Sequence, residues 1–186
     1  MLPDARSRFT PIPANLKDGR VITVRLLEPT DDEALAEFYS TVPRDDWRFY
    51  SPHPLTREMA YKKAQDDADT ETFVCTVGID SAGLIVGYAW YRWSEPDSPT
   101  SEFGICIRRE YQGSGTGQAL MSRLLEVAKE YGPPGMYLTV QKANPRAFAL
   151  YKKMGFYVVR EQMRGQVEEF PAEPEYYMER IAHDPL

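Results

Sequence analysis

Three glycines at alternate positions punctuate the run Gln112-Gly113-Ser114-Gly115-Thr116-Gly117-Gln118. An apolar, strand-like stretch over residues 103–107 leads into it, and an amphipathic segment follows. Glycines at this spacing leave main-chain N–H groups uncovered. The start of a helix adds a dipole that favours negative charge. The chemistry predicted is capture of a phosphate or pyrophosphate. A Walker A loop needs a lysine directly after its last glycine, but here Gln118 and Ala119 follow Gly117, which disfavours a kinase or ATPase. A dinucleotide fingerprint needs Gly-x-Gly-x-x-Gly after a first strand. This loop has Gly-x-Gly-x-Gly and lies past the middle of the chain. Taken alone, the loop is also compatible with an ordinary strand-to-helix turn.

The elements around the loop must position it. Residues 1–15 hold three prolines and little periodicity, so they are expected to form an irregular arm, with 16–186 as a single domain. Residues 21–26 read as a first strand. Thr30-Asp31-Asp32-Glu33 reads as a capping box that opens a helix with Leu35, Phe38 and Tyr39 on its apolar face. A second helix is expected from Thr56 to about Ala68, then a hairpin of strands 72–78 and 84–93 around Asp80-Ser81-Ala82-Gly83. The fourth strand, 101–107, runs into the glycine loop. The helix after it carries Leu120, Leu124, Ala128 and Tyr131 on one stripe. Residues 136–140 form a fifth strand. Asn144 as N-cap and Pro145 at the first helical position open a last helix that Gly155 closes. A sixth strand starts at Phe156, and a final hairpin is expected from 165–170 and 176–181. This order predicts an α/β (α+β) fold, a mixed sheet of about seven strands with helices on both faces.

Two motifs in sequence order carry a resemblance. Gln112, Gly115 and Gly117 form Gln-x-x-Gly-x-Gly, and Asn144 to Phe156 reads Asn-x-x-Ala-x-x-Leu-Tyr-x-Lys-x-Gly-Phe. Together they resemble the acyl-CoA site of the GNAT superfamily of N-acetyltransferases, over about residues 101–157. A looser likeness over 16–50, including Asp18-Gly19-Arg20, points to acetyltransferase domains that modify protein lysines.

The resemblance implies a cleft where the fourth and fifth strands splay apart. The pantetheine arm would pair there with the backbone of Ile105, Cys106 and Ile107. Gln112, Gly113, Ser114, Gly115, Thr116 and Gly117 would hold the pyrophosphate, with Gln118 just inside the helix. Asn144 would contact the cofactor arm, beside its role as a cap. Tyr151 would lie near the thioester sulfur, as general acid or as a core tyrosine. Glu102 would be the general base or an exposed strand residue. Acetyl-CoA is the implied co-substrate and a primary amine the implied acceptor, attacked directly without a covalent enzyme intermediate. A non-catalytic acyl-CoA-binding module is the alternative.

Composition narrows the partners. A net charge of −6 and a pI near 5.1 argue against a nucleic-acid binder driven by phosphate neutralisation. Cys75 and Cys106 each sit in an apolar run, as small core residues of a reducing compartment. His53 and His183 lack metal-ligand spacing, so no metal is expected. No run approaches the ~20 apolar residues of a membrane span, and no apolar leader is visible, so a cytoplasmic protein without membrane contact is expected. Exposed strand edges are compatible with a homodimer. The segment 47–54 is aromatic and proline-bounded; it either packs its rings onto the core or walls a substrate pocket. Glu168, Glu169, Glu173 and Glu175 form either a solvated acidic run or an attraction for a cationic substrate.

Overall fold

The computed structural model describes residues 3–50, 53–66, 72–95, 97–167 and 169–181. One mixed sheet runs through the molecule in the order β1-β2-β3-β4-β5-β6-β8-β7. Its strands are β1 (Ile12–Asn15), β2 (Val21–Leu26), β3 (Phe73–Ile79), β4 (Ile85–Arg92), β5 (Thr100–Ile107), β6 (Gly135–Gln141), β7 (Tyr157–Arg164) and β8 (Glu173–Ile181). All pairings are antiparallel except β5 with β6. The two strands of the central hairpin, β3 and β4, are buried over nearly their whole length. That follows from their continuous apolar sequence, which demands cover on both faces.

Helices supply the cover. On one face lie α4 (Thr116–Ala128) and α5 (Pro145–Lys153). There Leu120, Met121 and Leu124 pack with Phe103, Met136 and Leu138. On the other face lies α2 (Asp32–Thr41), whose Leu35, Phe38 and Tyr39 pack with Tyr88 and Trp90. The short α3 (Arg57–Tyr61) follows, with Thr56 as its N-cap accepting from the Met59 N–H at 3.3 Å.

Several expectations are corrected. Residues 3–15 are not an irregular arm. Pro3–Arg8 form a helix, α1, and β1 adds an edge to the sheet against β2. The sheet therefore has eight strands rather than about seven, and the splayed pair becomes β5 and β6. Thr30 does not cap α2. Pro29 starts a single 3₁₀ turn first, and the reciprocal cap joins Glu28 and Asp31. Asp31 also accepts from both terminal nitrogens of Arg25, at 2.6 and 2.7 Å. The α3 helix passes into a π-turn at Lys62–Asp66, and the expected end at Ala68 lies outside the described residues. In place of the expected strand over 165–170 there is an isolated Val167–Phe170 bridge, and β7 itself pairs with β8.

One irregularity positions the site. Parallel pairing of β5 with β6 covers only Thr100, Ser101 and Glu102 against Gly135, Met136 and Tyr137. Beyond Glu102 each strand stays with its other neighbour: β5 with β4 to Ile107, and β6 with β8 to Gln141. The two strands part, and an open seam runs between them toward the glycine loop.

Candidate active site

The glycine loop closes the wide end of the seam. A 3₁₀ turn at Arg109–Tyr111 ends β5, and Gly115, with φ +103°, turns the chain into α4. Gly113 is also left-handed, at φ +78°. The first α4 N–H to reach a backbone carbonyl is that of Ala119, on Gly115 O at 3.0 Å. The N–H groups of residues 113–118 have no protein acceptor among the described residues. Such groups at a helix start are suited to an anion. Gly117 serves a different end. A Cβ there would stand 2.8 Å from Leu150 Cδ2 and 2.9 Å from Ile107 Cδ1, so its lack of a side chain lets α4, α5 and β5 meet.

Side chains fix the loop from beneath. Ser114 Oγ donates to Tyr111 O at 2.6 Å and lies 2.9 Å from Thr116 Oγ1. Gln112 Nε2 donates to Ile107 O at 3.1 Å. The turn between β1 and β2 props the loop from the side. Lys17 N–H donates to Ser114 O at 2.8 Å, and Arg20 donates to Glu110 O at 2.7 Å while lying over the Tyr111 ring. On the open side, Arg146 donates to Gln112 Oε1 at 2.9 Å and Lys153 to Gln118 Oε1 at 2.7 Å. Neither cation makes an ion pair among the described residues, so both charges are available beside the bare N–H groups. Sequence reasoning passed over both; their spacing of seven on one helix face is the signal that points to them.

Along the seam, backbone alternation decides which β5 residues face it. Arg108 N–H turns back to Val86 O on the β4 side, whereas Ile107 O turns away from β4 to meet Gln112. By the two-residue repeat, Phe103, Ile105 and Ile107 present N–H and C=O to the seam. Cys106 directs its backbone to Tyr88 on β4 instead. Its thiol is buried, which pushes its pKa up to about 12 and keeps it protonated.

Tyr151 stands on the α4/α5 face. It is 7% exposed, with edge-on contact to Phe103 at 6.0 Å and a tilted contact with Phe156 at 6.0 Å. Its hydroxyl has no protein partner among the described residues yet is not fully enclosed. Burial, and then the nearby Cys106, push its pKa well above the usual tyrosine value. Its helix is held at both ends. Asn144 Oδ1 accepts from the Ala147 N–H at 3.1 Å, and buried Arg180 donates to Met154 O at 2.6 Å. Arg180 is a positioning residue that the sequence did not reveal.

Glu102 lies on the opposite face, at the closed end of the seam. Its Oε2 accepts from Arg92 Nε at 2.9 Å and Arg92 Nη2 at 2.8 Å, its cross-strand neighbour on β4. The structure thus separates Glu102 from Tyr151 by the thickness of the sheet and commits its carboxylate to a cation. The same face carries a buried polar-aromatic network: Trp90 Nε1–H donates to Tyr50 OH at 2.8 Å, which lies 3.0 Å from His53 Nε2. His53 Nδ1 lies 2.9 Å from Pro54 O. Tyr50 and His53 thus pack inward, while the 3₁₀ turn Arg44–Phe49 spans the seam. Arg44 pairs with Glu169 at 2.6 Å, Arg48 with Glu173 at 2.8 Å, and Asp46 with Arg109 at 2.8 Å. Arg164 on β7 also donates to Arg48 O. The turn forms a roof over the seam's second face. Glu168 lies outside the described residues.

Comparison with known proteins places this geometry. The chain is 28% identical to a mycothiol acetyltransferase of Paenarthrobacter aurescens over 77% of its own length, but spans only 44% of that relative. It is 25% identical to an L-amino acid N-acyltransferase of Escherichia coli, covering 76% of this chain and 83% of the other. An acetyltransferase of the GNAT family from Streptococcus pneumoniae superposes with a TM-score of 0.75 at 25% identity, covering 86% of this chain and 99% of that one. The model of the acetyltransferase (GNAT) family matches residues 35–156, which contain the splayed strands, the glycine loop and Tyr151. More than half of the sequence is thus accounted for by one family, and this chain belongs to the GNAT acetyltransferases.

Proposed function

We propose that this chain transfers an acetyl group from acetyl-CoA to a primary amine by direct attack of the amine on the thioester. The observation that carries the reading is the row of unpartnered N–H groups at 113–118, opening onto the seam between β5 and β6. Those groups, flanked by Arg146 and Lys153, suit a pyrophosphate. The free backbone edge at Ile105 and Ile107 suits an amide-bearing arm lying alongside as an added strand. Asn144 stands where α5 opens, close to that arm's path. Coenzyme A has both parts, and its thioester supplies the activated acyl group.

An alkylamine is mostly protonated at neutral pH. A carboxylate on the roofed face takes its proton, and the freed nitrogen forms the new bond to the acetyl carbon. Charge on the carbonyl oxygen is met by a β5 N–H, that of Ile105 being suitably turned. As the carbon–sulfur bond breaks, Tyr151 gives its hydroxyl proton to the departing sulfur and regains one from the nitrogen. Its raised pKa keeps that proton in place throughout the neutral range. Cys106 is protonated and has no hydrogen-bonded histidine among the described residues, which favours direct attack over an acyl-enzyme.

The likeness to an amino-acid acyltransferase and to a mycothiol acetyltransferase favours a small amine over a protein. Buried, free Cys75 and Cys106 suit a reducing cytoplasm. Among the described residues no helix is long and apolar enough to cross a membrane. The open outer edge β7, with Tyr157, Val159 and Met163 exposed, suits pairing with a second copy.

Two measurements test the reading. Coenzyme A at 100 times its Kd raises the Tm by the equivalent of about 2.7 kcal/mol. Thiol is released from acetyl-CoA only when a primary amine is present. A Tm that coenzyme A leaves unmoved removes the cofactor assignment. Binding without thiol release across amino acids, polyamines, aminoglycosides and lysine peptides favours the non-catalytic module instead.

A further inference from the structure

The roofed face holds a second carboxylate, whose surroundings differ from those of Glu102. Glu175 lies opposite Gln141 on β6, and Gln141 stands four residues beyond Tyr137, the last β6 residue paired to β5. Because side chains alternate, Glu175, Gln141, Tyr177 and Tyr137 share the face that carries Glu102. Glu175 is 3% exposed. Its Oε1 accepts from Gln162 Nε2 at 2.8 Å, but its buried Oε2 has no hydrogen-bond partner among the described residues. No cation lies within 4.0 Å of it among the described residues, since Arg48 and Arg164 both turn to Glu173. Gln141 is buried too, yet its amide keeps solvent contact without a protein partner among the described residues. A buried carboxylate without a counter-charge is expensive, and removing its charge ordinarily gains stability. One that persists beside an open seam fits a cationic guest.

We propose that Glu175, not Glu102, receives the acceptor: a primary ammonium docks on its free oxygen while an apolar or aromatic body lies along the edge of the stacked Tyr137 and Tyr177 rings, 5.4 Å apart, with the Arg160 guanidinium covering the Tyr177 ring at 3.8 Å. This rests on the acetyl-transfer reading above. Glu175 and Tyr177 are two residues apart, about 6.6 Å along a strand, which matches the reach of an arylethylamine. Glu175 takes one proton from the ammonium, and the freed lone pair forms the nitrogen–carbon bond. The carbon–sulfur bond then breaks, sulfur leaves as a thiol with the Tyr151 proton, and the second nitrogen proton restores Tyr151. Entry requires the roof to lift. Lifting it breaks the half-exposed Arg44–Glu169 pair, which adds little stability, together with the Arg48–Glu173 and Arg109–Asp46 pairs and the Arg164 bond to Arg48 O.

The test uses phenethylamine as the amine probe, with the full chain and its Glu175→Gln and Glu102→Gln variants. Thiol release at saturating acetyl-CoA gives kcat and KM between pH 6.5 and 10. Glu175→Gln is expected to keep the coenzyme A-induced Tm shift, to hold or raise the Tm of the free protein, and to lose at least 100-fold in kcat/KM. That deficit shrinks as pH approaches the amine's own pKa, about 10, where no proton acceptor is needed. A merely structural defect would not be rescued by pH. Glu175→Gln turnover within threefold of wild type, a pH-independent deficit, or wild-type chain that binds coenzyme A but leaves phenethylamine untouched each overturns the proposal. A wild-type chain that fails to bind coenzyme A counts instead against acetyl transfer itself.

Discussion

The two sides of the open seam are built by different means. The α4 side presents groups that lie close together in the chain and are left unpartnered: the N–H groups of 113–118, with Ser114 and Thr116 bracing them locally. The roofed side is assembled from distant residues. Arg44 reaches Glu169, Arg48 reaches Glu173, and Arg109 reaches Asp46. A site for a constant ligand needs fixed, unspent donors, which a short motif can encode. On the proposed reading the acceptor meets the roofed wall, whose most exposed pair, Arg44–Glu169, contributes little. The same contrast holds within the roofed side, where Glu102 is committed to Arg92 while one oxygen of Glu175 is uncommitted.

The largest effect is expected on the α4 side of the chemistry. Tyr151→Phe should lower kcat by about 10²–10⁴-fold, the range of a lost general acid, with the coenzyme A-induced Tm shift intact. A drop below threefold would return Tyr151 to the role of a core ring. Next, Gly117→Val should cost about 1–3 kcal/mol by overpacking against Leu150 and Ile107. It should also weaken coenzyme A binding, seen as a lower Tm and a smaller ligand shift. An unaffected ligand shift would separate helix packing from the anion site.

Tyr50, Tyr88, Tyr91 and Tyr151 all have pKa values raised by burial. Each binds its proton more tightly folded than unfolded. Stability should therefore be full below about pH 10, the unfolded value, and fall as pH climbs above it. Urea unfolding at pH 8 and pH 11 measures this; equal midpoints would contradict the burial of those hydroxyls.

The rim should respond least to mutation. Arg44→Ala should change Tm by no more than about 0–1 kcal/mol equivalent, while raising the acceptor KM several-fold and leaving the coenzyme A shift alone. A collapse of both would make the roof part of the core. Glu102→Gln should lower kcat/KM only several-fold, without moving the acid limb of the pH–rate profile. A clear shift of that limb to higher pH would restore Glu102 as the base.

Much of this is legible in the sequence. The glycine spacing, the Asn144–Pro145 cap and the stripe on α4 are local signals, and each appears where the sequence places it. The edge strand β1 was hidden because Pro11 and Pro13 read as breakers, though prolines are tolerated on a sheet edge, where an N–H is not needed. The Thr30 cap misread came from Pro29, which moved the start of the turn by two residues.

By itself, the sequence determined the glycine loop and the helix that carries Tyr151, because both depend on backbone geometry set within a dozen residues. Only the tertiary structure decided how far β5 and β6 stay paired, which β5 amides face the seam, and that Arg92 neutralises Glu102 while Glu175 is buried without a counter-charge among the described residues. Those outcomes follow from register and burial across the sheet, and no short-range pattern in the chain encodes which charges will meet.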